Sequence, residues 1–220
     1  MVKKLLSYLI PVNVTRRKSD WSKDLEITWN NGELVLDSKN TNYSYGSLQR
    51  ILRKGLRTIG YDKLLPMDHI LVLGVAGGSV IKTLVNEVKY KGKITGVDID
   101  PAVIEIANTY FKLDQIPNLE IIIDDAFEFV LKTKHKYDLI IIDIFQDTTM
   151  PNFLFETFFI KRIGFLMQPD GVALFNTMLL DEKDNQRNTA FLNEIAGLGF
   201  STIVVPRVEQ HNELIIFKNK

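Results

Sequence analysis

Residues Ile70–Asp100, ILVLGVAGGSVIKTLVNEVKYKGKITGVDID, decide the fold of this chain. An apolar strand, Ile70 to Leu73, leads into a glycine-rich turn, then a helix, and then a second strand that ends at Asp98. This order is typical of a nucleotide-binding βαβ unit. Asp98 lies 24 positions after Gly74, where a carboxylate can accept hydrogen bonds from both hydroxyls of a ribose. The stretch therefore predicts nucleotide or nucleoside binding.

The turn of this unit is built from small residues. Gly74, Gly77 and Gly78, with Ala76 among them, let the backbone pass close to a ligand, because no large side chain stands in the way. Small residues also serve tight packing between a helix and a strand, so the loop alone does not decide the function. The prediction of nucleotide or nucleoside binding depends on the glycine turn and the acid at the end of the next strand occurring together.

Further aspartates follow two other apolar runs. Asp124 and Asp125 come after the strand predicted at 119–123, and Asp143 comes after YDLIII at 137–142. Continuous apolar runs are typical of strands buried on both faces of a parallel sheet. Ligands of open α/β sheets lie outside the carboxyl ends of the strands, so we expect these acids along one rim. The alternative is that some of them only cap helices.

One such cap is predicted at Asp100, because Pro101 follows it at the first helical position.

The composition limits the class of protein. With 220 residues, the chain can form one α/β core and a small appendage, which we divide at 1–66 and 67–220. Twenty-seven basic and 27 acidic residues give no net charge, so neither nucleic acid nor a membrane is an expected partner. There is no Cys, and the three His residues are widely spaced, so no metal site is expected.

The first residues faintly resemble a signal peptide, since Lys3 and Lys4 precede the apolar run 5–10. However, Pro11 ends that run, no small-residue cleavage site follows, and no run reaches the length of a membrane span. We therefore expect a soluble, cytoplasmic protein.

The remaining elements give the order of the fold. Asn31-Gly32 predicts a type I′ turn in a hairpin over 25–37, and a helix is predicted from Tyr45 to Ile59, ending at Gly60. The other predicted elements are strands at 70–73, 93–98, 119–123, 137–142, 172–175, 201–205 and 213–217, helices at 79–88, 101–110, 126–132, 153–166 and 184–197, and a turn at 169–171. The last two strands should pair antiparallel.

This layout predicts an α/β, Rossmann-like methyltransferase fold. We expect a mostly parallel seven-stranded sheet with an antiparallel C-terminal strand, preceded by a small β-hairpin region. From about Leu25 to Asn176, the chain resembles the spermidine/spermine synthase family, the polyamine aminopropyltransferases. The motifs that carry the resemblance are LVLDS, NYSYGSLQ, LVLGVAGGS, GVDIDPAVIEIA, IIIDDAFEFV, YDLIIIDIF and MQPDGVALFN. Val72, two residues before the first glycine, is apolar as in that family, whereas most methyltransferases have an acid there.

The resemblance implies roles for the residues of the rim. Asp98 would hold the ribose and Asp125 the adenine amino group, with Asp124 beside it. Gly74, Ala76, Gly77 and Gly78 would form the cofactor loop. Asp143 would be the catalytic aspartate, and Tyr45, Gln146 and Asp147 would contact the substrate.

Several family positions differ in this chain. Gly77 stands where the family has an aspartate that binds the aminopropyl ammonium, and no acid follows Tyr45. Ile144 and Phe145 replace polar residues after Asp143. The acceptor pocket should therefore be more apolar than a diamine site, because an unpaired buried ammonium is costly.

We expect a transferase that uses S-adenosylmethionine or its decarboxylated form, without a metal. The reaction would be alkyl transfer, most simply methyl transfer, to a small acceptor, with an amine among the candidates. Aminopropyl transfer to a polyamine and binding of the nucleoside without catalysis stay open as alternatives. A homodimer is an open alternative to a monomer.

Overall fold

The computed structural model describes residues 2–21, 24–38, 42–146 and 149–219, and its strands form two sheets. The smaller sheet is antiparallel and follows the chain order. After a short helix, α1 (Val2–Leu6), its strands are β1 (Val12–Arg17), β2 (Leu25–Asn30), β3 (Glu33–Ser38) and β4 (Asn42–Ser44). The turn between β2 and β3 has positive φ at both Asn31 (49°) and Gly32 (77°), which confirms the predicted hairpin.

The larger sheet has seven strands in the order β10-β11-β9-β8-β5-β6-β7. These strands are β5 (His69–Leu73), β6 (Lys93–Asp98), β7 (Leu119–Ile123), β8 (Tyr137–Ile142), β9 (Met167–Met178), β10 (Phe200–Val208) and β11 (Asn212–Asn219). Neighbouring strands from β9 to β7 pair parallel, and β11 runs antiparallel to both β9 and β10. The predicted fold class is confirmed.

Helices cover both faces of the larger sheet. They are α2 (Gly46–Ile59), α3 (Tyr61–Leu64), α4 (Ser79–Thr83), α5 (Pro101–Phe111), α6 (Ala126–Lys132), α7 (Thr157–Leu166) and α8 (Glu182–Gly197). Short turns of 3-10 helix lie at Leu113–Gln115 and Asn152–Phe155, and a π-helical turn lies at Leu84–Val88. Within the described part of the chain, no helix has both the length and the apolar character of a membrane span.

Alternate residues of each central strand fill two separate cores. On β5, Ile70 and Val72 face the core under α2 and α4, while Leu71 and Leu73 face the core under α7 and α8. All four side chains are fully buried, and each such burial contributes about 1.5–3 kcal/mol. This is why the strand reads as a continuous apolar run.

Helix α2, which the sequence placed with the N-terminal region, packs in the core of the larger sheet. Its Leu52 and Leu56 are buried in the same cluster as Leu174 of β9. At Gly55 the contact is so close that a Cβ atom would lie 2.7 Å from the Leu174 side chain. The small sheet instead packs on α5, where Leu25 and Ile27 share a buried cluster with Ile106.

Three predicted elements differ from the structure. The helix predicted at 79–88 becomes π-helical after Thr83, because the Lys89 amide bonds to the Leu84 carbonyl five residues back. The helix predicted at 153–166 begins at Thr157, after a turn of 3-10 helix. The turn predicted at 169–171 is a bulge inside β9, because the residues on either side of it still pair with β8.

The strand order reverses between β5 and β8. β6 and β7 follow β5 on one side, and β8 and β9 lie on the other side. The loops after β5 and β8 therefore leave the sheet in opposite directions and open a crevice, which is where ligands of such sheets bind.

Candidate active site

A cavity of about 360 Å³ lies at this reversal of strand order. Its lining comes from the residues after the parallel strands, including the loop after β8, and from α2 and Trp21. Its lining includes these predicted residues: Gly74, Ala76, Asp98, Asp125, Asp143 and Gln146.

Gly74 lets the loop after β5 cross directly against the loop after β8. Its φ is +87°, and a Cβ atom there would overlap the backbone carbonyl oxygen of Asp143. A side chain at this position is therefore excluded both by the backbone conformation and by the space. Gly74 therefore brings the glycine loop, which follows β5, next to Asp143.

Asp98 holds the glycine loop by hydrogen bonds. Its Oδ2 accepts from the backbone amides of Val75 and Ala76, both at 2.9 Å, and its Oδ1 accepts from the Asp100 amide at 3.0 Å. Burial raises the pKa of Asp98, and these amide bonds oppose the rise. The carboxylate thus shapes the loop, and of its four acceptor sites one, on Oδ1, is left to accept a hydroxyl group.

Asp100 and Asp125 both cap a helix and line the cavity. Asp100 accepts from the amides of Ala102 and Val103, as predicted from Pro101. Asp125 Oδ1 accepts from the amides of Phe127 and Glu128 at 2.8 and 3.2 Å, and Oδ2 makes no hydrogen bond to the described residues. For Asp125, capping the helix is therefore compatible with a place in the cavity, because Oδ1 caps the helix and Oδ2 makes no hydrogen bond to the described residues.

Asp143 is held by a chain of two amides. Its Oδ1 accepts a 2.8 Å hydrogen bond from Asn176 Nδ2, and Asn176 Oδ1 accepts a 3.0 Å bond from Asn212 Nδ2. Burial raises the pKa of Asp143 to about 6, and the bond from Asn176 counteracts part of this rise. A carboxyl with this pKa is ionised at neutral pH and can still take up a proton.

Part of the lining forms an apolar wall. Leu48 and Ile51 of α2, with Ile144, Phe145 and Phe153, line it. The remaining lining residues are Trp21, Ser47, Val97, Ile99, Val103, Ala126, Pro151, Asn176, Met178 and Asn212. No further carboxylate lines the described part of the cavity beyond Asp98, Asp100, Asp125 and Asp143.

Four predicted site residues lie away from the lining. The Tyr45 ring stacks on Phe111 at 4.4 Å between ring centres, and Asp124 Oδ1 accepts from the Asp125 amide. At Gly77 a Cβ atom would lie 2.7 Å from Ser44 Cβ, and at Gly78 it would lie 2.5 Å from Leu113 Cδ1, so both glycines face packed side chains.

Asp147 lies outside the described residues, while Gln146 lines the cavity beside that gap.

Sequence reasoning did not identify Asn176 and Asn212 as site residues. Asn176 follows the apolar run VALF, much as Asp143 follows YDLIII, so its position at a strand end was a usable signal. Asn212 lies directly after a turn, and no local pattern distinguishes it. It enters the site because β11 pairs antiparallel with β9.

A sheet of this order with an acid-lined cavity at its reversal defines a protein of the S-adenosylmethionine-dependent methyltransferase fold. The chain belongs to the spermine/spermidine synthase family, since the model of the spermine/spermidine synthase domain matches residues 62–217.

Similar proteins carry two kinds of name. A protein of Bifidobacterium longum (strain NCC 2705) named "Probable polyamine aminopropyl transferase" is 27% identical over 167 residues, which cover 72% of this chain and 37% of that protein. The "eEF1A lysine and N-terminal methyltransferase homolog" of Drosophila melanogaster is 25% identical over 198 residues, which cover 83% of this chain and 29% of that protein. The chain thus spans about a third of the length of these relatives.

The fold is also that of a solved structure. The crystal structure of human methyltransferase-like protein 13 in complex with SAH has a TM-score of 0.68 and 22% sequence identity. The match covers 80% of this chain and 83% of that chain.

Proposed function

We propose that this protein transfers a small alkyl group, most simply a methyl group, from S-adenosylmethionine to a nitrogen of an acceptor. The observation that carries the proposal is the position of Asp143. Its carboxylate is held by Asn176 on the wall of the same cavity that Asp98 and Asp125 line. The family and the two kinds of relative support a sulfonium ligand, and the Gly74 crossing supports close approach of such a ligand to the backbone.

The residues of the cavity fit such a ligand. Asp98 would accept a ribose hydroxyl on the Oδ1 lone pair that the backbone amides leave open, and Asp125 Oδ2 would accept the adenine amino group. A sulfonium ligand, when bound, supplies an electrophilic carbon and a good leaving group. The main task of the protein is then to align the acceptor with that carbon.

Asp143 would act on the acceptor. As a carboxylate it can hold an ammonium or accept the proton that an amine loses, and it is the lining acid that neither caps a helix nor binds the glycine loop. Asn176 leaves Oδ2 of Asp143 for the acceptor, because it donates to Oδ1. The roles of Tyr45, Gln146 and Asp147 at the acceptor stay predictions.

The apolar wall favours methyl transfer over aminopropyl transfer. A diamine carries two ammonium groups, and the decarboxylated donor carries an ammonium without the neighbouring carboxylate that the intact cofactor has, and every buried ammonium needs an acceptor. In the described lining, Asp98, Asp100 and Asp125 already accept backbone amides, and Ile144 and Phe145 follow Asp143. Aminopropyl transfer stays the alternative, because the family and the Bifidobacterium relative carry that name.

Calorimetry against S-adenosylmethionine, its decarboxylated form and methylthioadenosine tests the proposal. We expect the intact cofactor to bind at least as tightly as the decarboxylated form, because Gly77 provides no carboxylate to attract the aminopropyl ammonium. A preference of about a hundredfold for the decarboxylated form would reverse the assignment to aminopropyl transfer. Failure of all three ligands to bind would refute both.

A further inference from the structure

A second groove, rich in cations, lies beside the candidate active site. One wall is the exposed face of α2 and the other is the end of the β10–β11 hairpin. Its described lining includes the cations Arg50, Arg53, Lys54, Arg57 and Arg207 and the carboxylate of Glu209. The chain as a whole has no net charge, so this concentration of positive charge is a local feature.

The two sites share the same structural elements. Ser47 and Ile51 of α2 line the cavity, whereas Arg50 and Lys54 of the same helix line the groove. On the hairpin, Asn212 lines the cavity and its cross-strand partner Val208 lines the groove. A chain segment bound in the groove would therefore lie within a few residues of the cavity.

Two arginines of the groove bind carboxylates of the protein itself. Arg50 donates from Nε and Nη2 to both carboxylate oxygens of Glu209, at 2.9 and 2.8 Å. Arg53 donates from the same two nitrogens to Glu87 Oε1, at 3.0 and 2.6 Å. The Arg50 pair is bidentate, a geometry that suits planar carboxylates and phosphates, whereas both Arg53 bonds go to a single oxygen.

Three cations of the groove are left for a partner. Lys54, Arg57 and Arg207 are exposed, and none forms an ion pair with any described residue. Lys54 and Arg57 also lie three residues apart on one helix face, where like charges destabilise the helix. The groove has five cations, and three carboxylates act on them: Glu209 and Glu87 through ion pairs, and Glu33 through its charge on Arg50. The groove therefore keeps a net positive charge.

The end of the β10–β11 hairpin, which lines the groove, is strained. Arg207, Glu209 and Gln210 have φ values of 49°, 49° and 75°, in the region that favours glycine. Strained backbone of this kind is common where a loop holds a ligand.

The geometry points to a docking site for an acidic peptide segment of the acceptor, whose neighbouring amino group enters the cavity. This inference rests on the transfer reaction proposed above and names its acceptor as a polypeptide. Among the described residues, none that lines the groove is aromatic and could stack on single-stranded nucleic acid, and the pair of Arg50 with Glu209 shows a geometry that suits glutamate and aspartate side chains.

The binding test uses a fluorescent octaglutamate peptide and the full chain. The groove variant is Lys54→Gln with Arg57→Gln and Arg207→Gln, which neutralises the three unpaired cations. The matched control is Lys134→Gln with Lys161→Gln and Lys183→Gln, three exposed lysines without ion pairs among the described residues. We expect the groove variant to bind the peptide about tenfold more weakly or worse, and the control to bind like the wild type.

A transfer assay connects the groove to the cavity. Two peptides carry one lysine each, followed either by glutamates or by serines. We expect a higher kcat/KM for the acidic peptide, and we expect the groove variant to lose this advantage through KM rather than kcat. Equal rates on both peptides, or equal weakening in groove and control variants, would overturn the inference.

Tighter groove-dependent binding of a duplex oligonucleotide or of phosphatidylserine vesicles than of the peptide would also overturn it. Calorimetry with S-adenosylmethionine separates the two proposals. If the wild type binds the cofactor and not the peptide, the groove inference alone fails. If it binds the peptide through the groove but no sulfonium ligand, the proposed function fails and the docking site stands as a site for acidic peptides only.

Discussion

Asn176 Nδ2 donates a 2.8 Å hydrogen bond to Asp143 Oδ1, and this bond joins the carboxyl ends of the neighbouring parallel strands β9 and β8. An ionised carboxylate only accepts hydrogen bonds, so Asn176 must turn its Nδ2 toward Asp143. Its Oδ1 then needs a donor inside a fully buried site, and Asn212 Nδ2 provides it at 3.0 Å. The charge of Asp143 therefore sets the orientation of both amides.

Replacing Asp143 with Asn should stop catalysis without preventing cofactor binding. The change keeps the shape and removes the base, so we expect turnover to fall by roughly 10²–10⁴ while cofactor affinity stays within a few-fold. Initial rates and calorimetry on one preparation measure both quantities. The control is Asp138→Asn, at the start of β8, the strand that Asp143 follows. It should leave turnover and cofactor affinity unchanged. Unaltered turnover in Asp143→Asn would favour a protein that only binds the nucleoside.

The rate should depend on pH through Asp143. The carboxylate form acts, so we expect kcat/KM to rise as the pH rises toward about 6 and to level off above it. Asn176→Leu removes a bond that favours the charged form, so the inflection should move to higher pH. A pH–rate profile of the wild type and the variant tests this. A lower rate with an unmoved inflection would mean that Asn176 only supports the fold.

Asp143 should also lower the stability of the protein at neutral pH. Its pKa is higher in the folded state than in the unfolded chain, so the folded state binds the additional proton between about pH 4 and 6. The free energy of unfolding should therefore fall as the pH rises through this range. At pH 7, Asp143→Asn should raise it by about 1–3 kcal/mol, as urea unfolding would measure. A variant that is less stable than the wild type would contradict this.

Replacing Asp98 with Ala should weaken both the cofactor site and the glycine loop. The variant leaves the amides of Val75, Ala76 and Asp100 without their acceptor, in addition to losing the expected ribose contact. We expect about tenfold or more weaker cofactor binding together with a lower melting temperature. Asp170→Ala, an exposed acid in the β9 bulge, is the control. Wild-type affinity in folded Asp98→Ala would refute the proposed rim.

Gly74→Ala should be among the most damaging single-methyl changes in the chain. The new Cβ would overlap the Asp143 carbonyl oxygen in a backbone conformation that alanine rarely adopts, so we expect a loss of about 2–4 kcal/mol or a failure to fold. Gly197→Ala is the matched control, because nothing lies within 4 Å of its Cβ position at the end of α8. It should leave stability unchanged or raise it by up to about 1 kcal/mol. Similar melting temperatures for the two variants would contradict the close crossing.

The sequence by itself determined the order and type of the main elements. Continuous apolar runs such as YDLIII indicated strands buried on both faces, and Asn31-Gly32 indicated a hairpin, because both signals depend on neighbouring residues alone. The helix cap at Asp100 and the glycine turn were also predictable from neighbouring residues alone. The aspartates at the strand ends followed from the fold, because parallel strands end at one edge of a sheet.

Only the tertiary structure decided which side chains meet in the cavity. Gly77, Gly78 and Tyr45 lie in predicted motifs but face packed side chains, while Asn212 enters the site through pairing with a strand more than thirty residues earlier. The basic face of α2 is visible in the sequence, but Arg207 joins it from the distant hairpin. Local patterns specify helix and strand, whereas the direction of a side chain and its partners depend on register, loop dihedral angles and contacts between distant segments.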